Sequence, residues 1–98
     1  MILALDVSTS ITGVSVINDA GEVVLCSAID LRKYKEFFLK AEKVKEYLTV
    51  IKSDVKVTEV FIEQPFMFFN SGGSSAKTMA ALQRFNGVVS WICFSSFG

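Results

Sequence analysis

Apolar residues open the chain as an unbroken run, Ile2-Leu3-Ala4-Leu5, that stops at Asp6. A short continuous run of this kind is the signature of a strand buried on both faces. After the polar stretch Ser8-Thr9-Ser10, residues 12–17 (TGVSVI) predict a second strand, with Val14 and Val16 on one face. Asn18-Asp19-Ala20-Gly21 is a turn signal between two β-rich runs, so a hairpin follows and residues 22–29 form its other strand.

The period then changes. Between residues 31 and 53, Tyr34, Phe37, Phe38, Ala41, Val44, Leu48 and Ile51 recur at spacings of three and four, while Lys35, Glu36, Lys40, Glu42, Lys43 and Glu46 take the other face. That is an amphipathic helix with a solvated charged side. Glu59-Val60-Phe61-Ile62 is a fourth strand, and it too runs into a carboxylate, Glu63, before Pro65 stops it. Residues 66–75 read as a loop with Gly72-Gly73. Ser74 or Ser75 can cap a last helix whose apolar positions are Met79, Leu82, Phe85, Val88, Val89 and Ile92.

The order is therefore β-β-β-α-β-α. A hairpin is antiparallel, but a helical crossover returns the fourth strand parallel to the first. An α/β fold follows, a mixed sheet with helices packed on it, in one domain spanning residues 1–98. With 51% hydrophobic and 20% charged residues and a single proline, the chain is globular. Ten basic residues balance ten acidic ones, so net charge gives no support for a nucleic-acid partner. The absence of histidine removes the commonest metal ligand, so a metal site would be built from carboxylates and would favour Mg²⁺ or Mn²⁺ over Zn²⁺. Cys26 and Cys93 lie outside any CxxC pattern and are expected to be buried, reduced thiols. No basic leader precedes Asp6, and no apolar stretch reaches the ~20 residues that span a bilayer. A cytoplasmic protein with no membrane partner is the expectation.

The candidate chemistry lies where the two parallel strands end. Sites in open α/β sheets form outside the carboxyl ends of strands. If those strands are neighbours, ~4.8 Å apart, Asp6 and Glu63 share one small region, where a divalent cation would relieve their repulsion. Such an ion can also activate water and stabilise charge on a phosphate. The plainer alternative is that Asp6 opens a turn and Glu63 ends a strand in a surface ion pair.

Ile2-Leu3-Ala4-Leu5-Asp6, then Thr12-Gly13 and Val14-Ser15-Val16-Ile17, resembles the opening of RuvC-type Holliday-junction resolvases. A stronger match is Phe61-Ile62-Glu63-Gln64-Pro65-Phe66, followed by Asn70, Ala80-Ala81-Leu82 and Asn86-Gly87-Val88-Val89. RuvC proteins have the ribonuclease-H-like fold, act as dimers and cut branched DNA with Mg²⁺. The resemblance implies that Asp6 and Glu63 are catalytic metal ligands and that Phe66 contacts unstacked bases, with Phe68 and Phe69 as competitors. It also allows Lys77 and Arg84 to meet phosphates, against the plainer reading of solvated helix charges, and it implies a homodimer through the helix at residues 74–94.

The departures are informative. Val7-Ser8-Thr9 stands where the family commonly has Pro-Gly, and the spacer before the last helix is short, as in a compact, divergent and phage-like relative in a bacterial or host cytoplasm. The family's remaining acids lie on a carboxy-terminal helix, and this chain has no Asp or Glu after Glu63. The expectation is a fold truncated before its carboxy-terminal strand and helix, with little or no nuclease activity of its own. Two other classes stay open. One is the nucleotide-phosphate-binding half of an actin-like or sugar-kinase fold; the other is a non-catalytic binding or assembly module.

Overall fold

The computed structural model describes residues 1–63 and 76–98. The elements follow in the order β1 (Ile2–Asp6), β2 (Ile11–Ile17), β3 (Val23–Asp30), α1 (Phe37–Asp54), β4 (Glu59–Ile62) and α2 (Ala76–Phe97). The four strands form one mixed sheet in the order β3-β2-β1-β4. β1 pairs antiparallel with β2 and parallel with β4, the register that a hairpin followed by a helical crossover demands. The expected α/β class and element order are those observed. At the hairpin, Asn18 Oδ1 accepts the N–H groups of Ala20 (3.0 Å) and Glu22 (2.9 Å), and Gly21 takes the left-handed φ of 83° that favours glycine.

The core follows from strand alternation. Leu3, Leu5, Val14, Val16 and Ile29 point to one face and are buried there. Ala41, Val44, Leu48 and Ile51 of α1 and Phe85, Val89, Ile92 and Cys93 of α2 close over them. The α2 set lies at i, i+4, i+7 and i+8, one stripe of a helix. Phe85 is fully buried and meets Phe37 edge-to-face at 5.4 Å. Among the described residues, no helix is long and apolar enough to cross a membrane.

Four expectations need correction. The first helix begins at Phe37 and not at residue 31, because Asp30 and Leu31 are claimed by other partners. The Asp30 carboxylate accepts the Arg32 N–H at 3.0 Å, and Leu31, fully buried, donates its N–H to Ser10 at 2.7 Å. Phe38 is 62% exposed, since Phe37 takes the core side and consecutive helical residues point about 100° apart. Cys26 is exposed while Cys93 is buried. Cys26 lies on edge strand β3 and pairs with Ser15 on the sheet face away from the helices. Finally, the apolar β1 reads as buried on both faces, yet α1 and α2 cover one face only. On the other, Ile11, Val23 and Phe61 are exposed.

Candidate metal and nucleic-acid site

Parallel pairing of β1 with β4 sets the two acids side by side. The register runs Ile2–Glu59, Leu3–Val60, Ala4–Phe61 and Leu5–Ile62, and the Glu63 N–H donates to the Leu5 carbonyl at 3.2 Å. Glu63 therefore stands one step past the ladder beside Asp6, on strands ~4.8 Å apart. By alternation both side chains belong to the sheet face opposite α1 and α2, and both residues are exposed. On the other side of Asp6, β2 contributes Gly13, where an added Cβ would meet the Asp6 Cβ at 3.5 Å. A methyl fits there at van der Waals distance, while a branched side chain would crowd the carboxylate.

Hydrogen bonds fix what surrounds the pair. Thr12, the one buried polar residue among the described residues, accepts the Ser8 N–H at 3.3 Å and donates to the Ser8 carbonyl at 2.9 Å through the same hydroxyl. The loop after Asp6 is thus closed from inside. Asn86 of α2 donates its side-chain amide to the Glu63 carbonyl at 3.0 Å and fixes the other strand end. Lys40 Nζ donates to the carbonyls of Thr9 (2.7 Å) and Leu31 (2.9 Å), so this lysine is not part of a solvated helix face as its spacing implied. Asn86 falls within a stretch that the sequence singles out. Thr12 carries the signal of a polar residue on the core side of a strand, and Lys40 carries none.

A third acid lies at this end of the sheet. Asp30, opposite Ile11, is on the same face as Asp6 but two strands away, about 10 Å by strand spacing. Arg32 engages it through both carboxylate oxygens, at 2.9 and 2.7 Å, and these bonds, with the Arg32 N–H, pull its pKa from the usual 3.8 down to about 2. Asp30 is occupied and too distant to join the pair. Among the described residues no three Asp, Glu, Cys or His gather as a metal cluster. The donor set fits a hard divalent ion in kind, and supplies part of the ligands that an octahedral ion takes.

The other site candidates separate. Lys77 is exposed in the first turns of α2, which run about 14 Å beyond Asn86 at 1.5 Å per residue, past the acid end of the sheet. Arg84 instead lies over the Phe37 ring at 4.7 Å, in the groove between α1 and α2. Phe66, its competitors Phe68 and Phe69, and the cap residues Ser74 and Ser75 lie outside the described residues.

Comparison with solved structures gives the fold. "T. thermophilus RuvC in complex with Holliday junction substrate" matches with a TM-score of 0.75 at 9% identity, over 97% of this chain and 58% of that one. The fold is that of RuvC. A second structure, "Thermus thermophilus RuvC structure", matches with a TM-score of 0.64 at 11% identity and the same coverage. The chain thus spans 58% of the length of these RuvC chains. No protein-family model and no curated protein sequence matches it.

Proposed function

We propose that residues 1–98 are a partial RuvC-type, ribonuclease-H-like domain carrying half of the metal site of a structure-selective endonuclease. The observation that supports this is the placement of Asp6 and Glu63 at adjacent parallel strand ends, in a RuvC fold. Asp6 and Glu63 would hold Mg²⁺ or Mn²⁺, which supplies a water of lowered pKa and neutralises charge on a phosphodiester. Lys77, beyond the acid end of the sheet, is the candidate to meet a backbone phosphate, and Phe66 is the candidate for stacking on an unpaired base. Arg84 is a weaker candidate, because Phe37 already holds its guanidinium. A DNA substrate would place the protein in the cytoplasm of a bacterium or a phage-infected cell.

Two carboxylates leave most of an octahedral shell to water, so the ion is bound weakly and its geometry is poorly fixed. Branched-DNA binding with little or no cleavage follows. In gel competition, a four-way junction is expected to displace this chain's labelled junction better than linear duplex of the same sequence; equal displacement would argue against the reading. Rapid junction cutting with Mn²⁺, lost in Asp6→Asn, would instead overturn the half-site argument.

Self-association has its own support. The groove between α1 and α2 has a volume of about 620 Å³, with Phe38, Arg84, Val88 and Trp91 in its lining. Phe38, Trp91 and Phe94 are 62, 66 and 72% exposed, a large apolar surface for a protein this size. Glu42 lies beside it with Lys45 and Arg84, so a two-fold axis could set opposite charges against each other. A homodimer through α2 is the expectation, measured by light scattering, with Trp91→Glu shifting it to monomer.

A further inference from the structure

Lys40 sits in the first turn of α1, which holds no acidic residue of its own after the N-cap Glu36, and a cation there meets the positive end of the helix dipole. Its half-buried ammonium bridges two carbonyls distant in sequence, Thr9 at 2.7 Å and Leu31 at 2.9 Å. Thr9 lies in the loop that follows Asp6. Leu31, just past β3, is fully buried, and its N–H donates to the Ser10 carbonyl at 2.7 Å. One amine therefore ties together α1, the end of β3 and the loop between β1 and β2.

Three consecutive carbonyls of that loop are each committed to a donor in a different place. Ser8 accepts from the Thr12 hydroxyl, Thr9 from Lys40, and Ser10 from the Leu31 N–H. Ser8 Oγ also accepts the Ser10 N–H at 3.1 Å. Of these ties, only the one from Lys40 reaches the loop from a helix. Asp6, the last residue of β1, is paired with Gly13 of β2 and leads directly into the loop, so the loop sets the chain direction on its carboxyl side.

We propose that Lys40 is a positioning residue for Asp6: its clamp on Thr9 and Leu31 holds the loop at residues 7–10 and so keeps the Asp6 side chain in one rotamer beside Glu63. The consequence for metal binding rests on the reading of Asp6 and Glu63 as a metal pair; the conformational part does not. Lysine suits the role because its compact ammonium offers three donors, enough for both carbonyls at once. Arginine can span the same two acceptors, whereas methionine keeps the apolar stem and removes every donor.

The test is the Asp6 χ1 angle, read from three-bond Hα–Hβ and N–Hβ couplings by NMR in the 98-residue chain. The native protein and Lys40→Arg are expected to give couplings of a single rotamer. Lys40→Met is expected to give averaged couplings, with dispersed signals elsewhere, and a severalfold weaker broadening by Mn²⁺ at Asp6 and Glu63. Should Lys40→Met not fold, Lys40→Gln is read in the same way. A single Asp6 rotamer in either folded variant, whatever its melting temperature, would overturn the proposal. The couplings decide the clamp with or without metal, and absence of Mn²⁺ broadening in the native protein would count against the metal pair alone.

Discussion

The side-chain amide of Asn86 donates to the backbone carbonyl of Glu63 at 3.0 Å, so the strand end that carries one acid is held from the middle of α2. This bond makes the position of Glu63 depend on helix packing as well as on the sheet. Replacing Asn86 with alanine is expected to cost about 0.5–1.5 kcal/mol, the net worth of one ordinary hydrogen bond. Urea unfolding measures that loss, and faster hydrogen exchange at the Glu63 amide would locate it.

Thr12 should matter more than its size implies. Thr12→Val keeps the shape but leaves the Ser8 N–H and carbonyl without their partner, at a cost of about 1–3 kcal/mol. Thr12→Ser keeps the hydroxyl and should lose about 0.8 kcal/mol for the missing methyl. Chemical denaturation of the pair separates the two contributions.

Among the described residues Phe85 is the largest fully buried side chain, and it joins α2 to Phe37 of α1. Phe85→Ala is expected to cost about 3–5 kcal/mol. Since a small domain holds about 5–15 kcal/mol in all, the variant should melt far below the native protein or fail to fold. Circular dichroism on heating gives the shift.

Acid should reveal the Asp30–Arg32 pair. The Arg32 side chain, then its N–H, then the charges of Arg32 and Lys33, hold Asp30 at about 2 against a usual 3.8. Its folded pKa is depressed, so the stabilisation is full above pH 3.8 and is lost as the pH falls through about 2. Carboxyl NMR titration should find the Asp30 midpoint near 2, and Arg32→Gln should return it towards 3.8. An unchanged midpoint in that variant would refute the assignment of cause.

The fold was legible because hydrophobic period and turn chemistry agreed along the chain. The run Ile2–Leu5, the Asn18–Gly21 turn and the apolar spacing from Ala41 to Ile51 each specify one element, and together they fix the parallel return of β4 beside β1. The same logic placed Asp6 and Glu63 at one sheet end. The start of α1 was not legible, because Leu31 satisfies a helical pattern while its N–H belongs to Ser10, a bond between segments far apart in sequence. Lys40 was hidden for the same reason: its carbonyl partners are 31 and 9 residues away. The exposure of Cys26 depends on which sheet face is covered, and that is decided by where α1 and α2 pack.

The pairing of Asp6 with Glu63 as a metal site is tested most directly by titrating the ¹⁵N-labelled chain with Mn²⁺ and recording which amides broaden. Broadening should centre on Asp6, Leu5 and Glu63, and Asp6→Asn or Glu63→Gln should each weaken it about tenfold or more, since even outer-shell partners act on that scale. Broadening centred elsewhere, at Asp30 or at Glu42 and Glu46 of α1, and unaltered by Asp6→Asn, would contradict the assignment.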